Sequence, residues 1–206
     1  MNRPVRSRVA FGMALVAALL WSAAGAMAQA VPGLAAPGAA GSDILRIRKM
    51  APVPATKTPI YQASVRTQAS ARSLDWWRVM VEYETAPEWV DELEFTYYAY
   101  LEDQSNKNAP VMFRGTVTYV NIPKGRHFSD MFLHPNVVAR MGPVKQIAVV
   151  VKVKGATVAT DSTATRANWW DGFSPVDGVM LNRSQTPFAY IDFDTFEAIK
   201  PAAAAR

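Results

Sequence analysis

Apolar and polar residues alternate with a period of two along most of this chain, and this alternation strongly limits the folds open to it. Between Trp77 and Glu84, apolar Trp, Val, Val and Tyr alternate with Arg, Met, Glu and Glu. The stretch 92–101 and the valine-rich stretch 147–153 repeat the pattern. Successive side chains of a strand point to opposite faces, so each stretch predicts a strand with one buried face.

Turn-forming residues separate these stretches. Ala86-Pro87-Glu88 and Pro123-Lys124-Gly125 predict breaks, and Lys154-Gly155 predicts a tight turn. Residues 135–141 predict one short helix, because Pro stands at its start and Gly142 follows its end. We therefore expect about eight short strands, at 44–49, 77–84, 92–101, 111–119, 127–133, 147–153, 156–161 and 188–196.

Many short strands with turns between them are typical of an all-β domain rather than a parallel α/β sheet. The pattern favours an antiparallel immunoglobulin-like β-sandwich with at most one short helix. A partly closed barrel is the alternative, because strand number alone does not separate the two architectures.

The N-terminus has the features of a secretory signal peptide. Arg3, Arg6 and Arg8 precede an uncharged apolar stretch, and Ala26-Met27-Ala28 closes it with small residues. We predict a signal peptide at 1–28, cleaved after Ala28 or, alternatively, after Ala30. Retention as a membrane anchor is less favoured, since the apolar stretch is shorter than the roughly 20 residues that a spanning helix needs.

The remaining chain divides into three parts. Residues 29–43 are rich in Ala, Gly and Pro and predict a flexible linker, since they offer too little apolar surface to offset ordering. Residues 44–200 form the predicted β-sandwich domain, and 201–206 form a disordered tail. The chain has no cysteine, which excludes disulfides, thiol chemistry and a lipid-modified cysteine.

The charge of the chain argues against nucleic-acid binding. The whole sequence carries 22 basic and 17 acidic residues, a net charge of +5. Removal of residues 1–28, with three Arg and no acid, leaves 19 basic against 17 acidic residues, or +2. No basic block remains that would predict a nucleic-acid partner.

Motifs for catalysis and metal binding are scarce. We find no nucleophile elbow, phosphate-binding loop or zinc-protease motif, and His127 and His134 have a spacing that places them on opposite faces of a strand. The sequence therefore predicts neither a metal site nor a cofactor. Carboxylates two residues apart on strands could line a hydrolase cleft, but a solvated face is the simpler interpretation; they are Glu82 with Glu84, Glu92 with Glu94, and Asp192 with Asp194.

Two aromatic segments are candidate binding sites. The stretch 168–175 reads NWWDGFSP, and its Trp169, Trp170 and Phe173 could stack on sugars or anchor a protein, with Asp171 accepting hydrogen bonds. The alternative is that this loop covers one end of the sandwich, with at least one of the two indoles buried. Trp76 and Trp77 point to opposite faces of a strand, so Trp76 is a candidate for an exposed patch, such as a subunit contact.

Four segments together resemble a known family. They are the stretch DWWRVMVEY at 75–83, WVDEL at 89–93, the valine strand at 147–153, and Trp169-Trp170-Asp171. They are similar to the pilus-like immunoglobulin-fold surface proteins of Akkermansia and other Verrucomicrobia, across about 44–200. Members of that family are encoded with type IV pilus-like machinery, so the resemblance implies a pilus-associated, non-enzymatic role and brings no catalytic residues.

One departure from pilins limits that role. A type IV pilin has a Gly before its cleavage point and a Glu five residues into a long apolar helix, whereas no Glu follows Gly12 before Asp43. We therefore expect an exported accessory module of the cell envelope, in the periplasm, at the outer membrane or on the cell surface. Its expected partners are envelope or pilus-associated proteins, or a second copy of itself. A carbohydrate-binding module that uses the Trp169-Trp170 loop is the alternative.

Overall fold

The computed structural model describes residues 43–60 and 73–201. The predicted signal peptide at 1–28 lies outside the described residues, as do almost all of the linker and tail, so those three segments stay predictions. Within the described residues no helix is long and apolar enough to cross a membrane. The strands are β1 (Leu45–Lys57), β2 (Asp75–Asp103), β3 (Ala109–Leu133), β4 (Gln146–Val153), β5 (Ala156–Ser162), β6 (Val176–Asp177) and β7 (Met180–Asn182), and the helix is α1 (Pro135–Met141).

A long antiparallel hairpin of β2 and β3 is the frame of the domain. The two strands pair from Trp77 opposite Leu133 to Asp103 opposite Ala109. Their register shifts once, between Thr85 and Trp89. Irregularities of this kind allow a strand to bend while it stays paired on either side.

The two halves of this hairpin face each other and enclose the core. The Tyr97 hydroxyl, in the second half of β2, donates a hydrogen bond of 2.7 Å to Ser129 Oγ in the second half of β3. Tyr83 and Phe95 lie on either side of the bend, and their ring centroids are 4.9 Å apart. The first layer holds the first half of β2, the second half of β3, β1 and β7, and the second layer holds the other two halves with β4, β5 and β6.

Inward-facing side chains of both layers form one apolar core. Val79 and Val81 of the first layer pack in the same cluster as Leu93, Phe95 and Val151 of the second. These residues occupy alternate positions of their strands, as the period-two pattern predicts. The predicted all-β antiparallel sandwich with one short helix is confirmed.

Several local predictions hold and others do not. α1 lies at the predicted residues, with the His134 side chain accepting from the Asn136 N–H at its start. Lys154 and Gly155, with φ of 49° and 81°, make the predicted turn between β4 and β5. The prediction of separate strands on either side of 86–88 and 123–125 is wrong, because β2 and β3 continue through both stretches; residues 86–88 lie at the register shift and have no partner in the β2–β3 pairing. The predicted strand at 188–196 is also wrong, since those residues form turns and 3-10 helix.

The outer face of each layer is covered by a segment without regular strands. On the second layer, Trp169 and Trp170 pack with Met112, Ala148 and Val150. On the first layer, Phe188 of the C-terminal part of the chain packs with Trp76 and Phe132. Both layers are thus partly buried on two faces, which explains why their strands carry large apolar residues at outward positions as well.

Candidate functional site

The strand carboxylates face basic side chains instead of lining a common cleft. Glu82 lies 2.7 Å from Arg126 Nε, and Glu84 forms an ion pair with Arg48. Lys200 Nζ lies 2.5 Å from Glu92, and Lys152 Nζ lies 3.7 Å from Glu94. Asp192 and Asp194 are exposed on a turn and not on a strand. This arrangement is typical of a solvated, ion-paired sheet surface.

The two histidines lie apart and make different structural contacts. His127 is buried, with Nδ1 2.8 Å from Glu197 Oε1 and Nε2 2.9 Å from the Pro123 carbonyl oxygen. His134 caps α1 and packs edge-on against Trp76, with centroids 4.9 Å apart. No group of three His, Cys, Asp or Glu side chains within 43–60 and 73–201 could hold a metal ion.

Both indoles of the predicted aromatic loop are buried. Trp169 is 4% exposed and donates a hydrogen bond of 2.7 Å from Nε1 to Ser162 Oγ. Trp170 is 8% exposed and stacks on Tyr98 with ring centroids 5.6 Å apart. Asp171 and Phe173 are exposed. The loop therefore covers the outer face of the second layer and presents to solvent the residues that follow the indoles.

An open groove lies beside this loop. It has a volume of about 610 Å³ and combines aromatic and polar walls. We call it the loop groove; its lining is Tyr100, Glu102, Gln146, Thr163, Ala164, Thr165, Arg166, Trp169 and Phe173. The sequence predicted Trp169 and Phe173 of this set as candidate binding residues. The polar lining residues come from β2, β4 and the segment after β5, which only the fold brings together.

Trp76 does not form an exposed patch. Its ring lies edge-on to Phe132 and to Phe188, with centroids 6.4 Å and 5.8 Å apart, and its Nε1 donates to Thr58 Oγ1. Alternation correctly places Trp76 and Trp77 on opposite faces of β2. Both are nevertheless buried, because the C-terminal part of the chain covers the outward face.

Arg183 fixes the C-terminal segment, residues 183–200, on the first layer. Its Nη2 and Nε lie 2.7 Å and 3.1 Å from Asp130 Oδ2, and its Nη1 donates to the carbonyls of Phe188 and Ile191. Asp130 is fully buried and also binds Arg78 at 2.8 Å. Burial raises the pKa of Asp130, and the two guanidinium groups oppose that rise.

The end of this segment pairs with the first half of β3, in the second layer, so the segment contacts both layers. The Val120 N–H donates to the Ala198 carbonyl, and the Lys200 N–H donates to the Thr118 carbonyl. The Arg183 guanidinium also lies 3.6 Å from the centroid of the Phe196 ring. The segment is therefore held at its start, middle and end by contacts to β3 or within itself.

A second groove lies on this fixed segment, and we call it the C-terminal groove. It encloses about 630 Å³ and is lined by Arg183, Ser184, Ala189, Tyr190, Phe193, Asp194, Phe196, Glu197, Ala198 and Ile199. Tyr190 is 81% exposed and Phe193 is 68% exposed. Two large rings open to solvent on a fixed support distinguish this groove from the loop groove, whose most exposed ring, Phe173, is 37% exposed.

Comparison with known proteins identifies the family. A family model matches residues 45–203, most of the chain. The chain belongs to the pilus-like family of Akkermansia and its relatives. A solved crystal structure from Akkermansia muciniphila superposes with a TM-score of 0.65 and 21% identity, covering 77% of this chain and 96% of that chain. None of the curated proteins compared with the chain matches it.

Membership of this family supports two coarse statements. The protein is pilus-related, and its place is extracellular or in the cell envelope. The structural likeness adds the fold alone at this level of identity. The resemblance inferred from the strand and tryptophan motifs is confirmed.

The sequence did not nominate Tyr190 and Phe193. Their stretch, FAYIDFDTF at 188–196, is rich in aromatic residues and predicted the last strand of the sandwich instead of a turn with exposed rings. Arg183 was the available clue, since an isolated Arg before an aromatic-rich tail can anchor that tail to a buried carboxylate. Asp130 lies in a predicted strand, but nothing in its local sequence shows that the C-terminal residues cover it.

Proposed function

We propose that this protein is an exported, non-enzymatic interaction module of the pilus-related cell envelope, which binds a protein partner through the C-terminal groove. The observation that carries the proposal is the exposure of Tyr190 and Phe193 on a segment that Arg183 fixes to the sheet. Aromatic residues are enriched in protein interfaces, where they supply large contact areas at low entropic cost. A fixed support reduces the ordering cost of binding further.

The remaining features of the surface agree with a binding role. The strand carboxylates are engaged by Arg48, Arg126, Lys152 and Lys200, so they do not form the convergent pair that hydrolysis requires. A place in the periplasm, at the outer membrane or on the cell surface follows from the predicted signal peptide together with the family.

The proposal is tested by placing a photo-crosslinking amino acid at position 190 in the native host. We expect irradiation to join this protein to a distinct envelope or pilus-associated protein, identified by mass spectrometry. The matched control is the same substitution at Trp89, an aromatic that is 63% exposed but does not line either aromatic groove. Equal products from both positions, or none from position 190, would contradict the proposed interface.

Glycan binding at the loop groove is a second candidate function. The groove places the Tyr100 and Phe173 rings, with centroids 5.2 Å apart, beside the amide of Gln146 and the hydroxyls of Thr163 and Thr165. Aromatic faces beside planar polar groups can hold a sugar ring and its hydroxyls. A glycan array tests this function, with loss of binding expected for Phe173→Ala and retention for Trp89→Ala.

A further inference from the structure

The charges around the C-terminal groove indicate what kind of segment it takes. Asp194 and Glu197 line the groove, and Asp192 precedes Phe193 on the same turn. Within 43–60 and 73–201, neither Asp192 nor Asp194 forms an ion pair. The Glu197 carboxylate lies 2.8 Å from His127 Nδ1, which fixes it at the wall of the groove.

In the part of the chain that the structure describes, one cation lines the groove, and it is already engaged. Arg183 is 5% exposed, and its guanidinium is directed at Asp130 and at two backbone carbonyls. Arg78 binds the same Asp130 carboxylate from the sheet and does not line the groove. Among residues 43–60 and 73–201, the solvent-facing side of the groove therefore presents carboxylates and aromatic rings, and no solvent-exposed lining cation.

Carboxylates beside exposed rings are complementary to a cationic side chain. A guanidinium can lie over the face of Tyr or Phe and at the same time donate to a carboxylate. An acidic side chain gains neither contact, and a neutral amide can donate to the carboxylate but lacks the cation–ring attraction and the charge that strengthens the hydrogen bond. Charge complementarity of this kind selects partners and excludes those of like charge. We infer that the C-terminal groove recognises an arginine-bearing segment of a partner protein, an inference that rests on the proposed function.

Fluorescence anisotropy with short labelled peptides tests this inference. The probe is a peptide in which Arg alternates with Ser, and the comparison peptides carry Lys, Gln or Glu in place of Arg. We expect the Arg peptide to bind most tightly, the Lys peptide more weakly, and the Gln and Glu peptides not at all. After the predicted removal of residues 1–28 the chain still carries a net charge of +2, so overall attraction does not favour a cationic peptide.

Matched variants locate the binding. Asp194→Lys, Tyr190→Ala and Phe193→Ala should each weaken binding of the Arg peptide at least about tenfold, as expected for central interface residues. Asp91→Lys and Trp89→Ala are the controls, since both side chains are highly exposed and lie outside the groove. All five altered side chains are exposed, so none of the substitutions disturbs the core. Thermal melting checks that each variant is folded.

The outcomes separate this inference from the proposed function. Equal binding of the Gln peptide, or equal losses in Asp91→Lys and Asp194→Lys, would overturn the choice of a cationic partner. A cross-linked partner at position 190 without Arg-peptide binding would leave the interaction module standing and refute its specificity. Two results together support the inference. Binding of the Arg peptide is lost only in the three groove variants, and added salt weakens its binding to the wild-type protein.

Discussion

At the scale of single residues, Gly115 occupies a point where the two layers of the sandwich approach closely. A Cβ atom added there would lie 2.6 Å from Met180 Cβ and 3.1 Å from Met131 Sδ. The Met131 side chain can move, but Met180 Cβ is held by its backbone in β7. We predict that Gly115→Ala lowers the free energy of unfolding by about 1–3 kcal/mol, the usual cost of overpacking a core.

Urea unfolding measures this effect, and Gly172→Ala is its control. Apart from its neighbours in the chain, no atom of the described residues lies within 4 Å of a Cβ added at Gly172, so that variant should stay within about 0.5 kcal/mol of the wild type. Equal midpoints for the two variants would contradict the close approach of the layers at Gly115.

Trp170 provides a second residue-scale prediction, on the aromatic loop. Because its indole is 8% exposed and stacks on Tyr98, Trp170→Ala should cost about 3–5 kcal/mol through lost burial and a cavity. Trp89→Ala removes the same side chain from an exposed position and should cost within about 0.5 kcal/mol. Thermal melting compares the two, and a wild-type melting temperature for Trp170→Ala would show that the loop does not pack on the sheet.

At the scale of elements, Arg183 acts as the anchor of the C-terminal segment. Arg183→Ala would leave Asp130 with Arg78 alone and would leave the carbonyls of Phe188 and Ile191 without their donor. A buried polar group that loses its partner costs about 1–3 kcal/mol, and the ion pair that Asp130 keeps with Arg78 limits the loss at the carboxylate. We predict a loss of that order together with release of the segment from the sheet.

Hydrogen exchange detects the release directly. The Val120 and Lys200 amides are bonded across the junction of the segment and β3, so both should exchange faster in Arg183→Ala. Lys200→Ala removes only an exposed ion pair with Glu92 and should leave the Val120 amide protected. Unchanged exchange at Val120 in Arg183→Ala would mean that the segment is held without its anchor.

The elements also show how far the sequence predicts this fold. Alternation locates β4 and both halves of β2 and β3, because one face of each strand is buried in the core. The Lys154-Gly155 turn predicts β5, which has no buried residue. Alternation does not show that each long strand continues through its Pro-containing stretch. β2 and β3 stay extended through these stretches because they pair with each other on both sides of the bend. That pairing depends on contacts between distant residues, so the local sequence does not show it.

The candidate site is less predictable for a related reason. The stretch around Phe188 and Phe193 has the aromatic content of a strand, yet Arg183 and the apolar surface of Trp76 and Phe132 determine its conformation. Which rings are buried and which are exposed depends on that packing. Local sequence therefore predicted Trp169 and Trp170 as binding residues, although both are buried. It did not predict Tyr190 and Phe193, which are exposed.

At the scale of the whole molecule, three tyrosines inside the sandwich connect stability to pH. Tyr83, Tyr97 and Tyr119 are fully buried and come from both layers. Tyr97 donates to Ser129, while the hydroxyls of Tyr83 and Tyr119 have no hydrogen-bond partner of good geometry among the described residues. Burial raises the pKa of all three phenols above the ordinary value of 10.0.

The sign of the resulting pH dependence follows from proton binding in the two states. Above pH 10 the unfolded chain loses these phenol protons while the folded protein retains them, so the folded state binds more protons. Stability is therefore unaffected by these groups below that pH and falls as pH rises above it, by at most about 4 kcal/mol per pH unit for three groups.

We predict cooperative alkaline unfolding in which tyrosinate absorbance rises together with the loss of circular dichroism. Tyr97→Phe removes one of the three groups and should make the fall in stability less steep. Gradual ionisation of the buried tyrosines in a protein that keeps its circular dichroism would mean that the hydroxyls reach solvent and that the two layers do not enclose them.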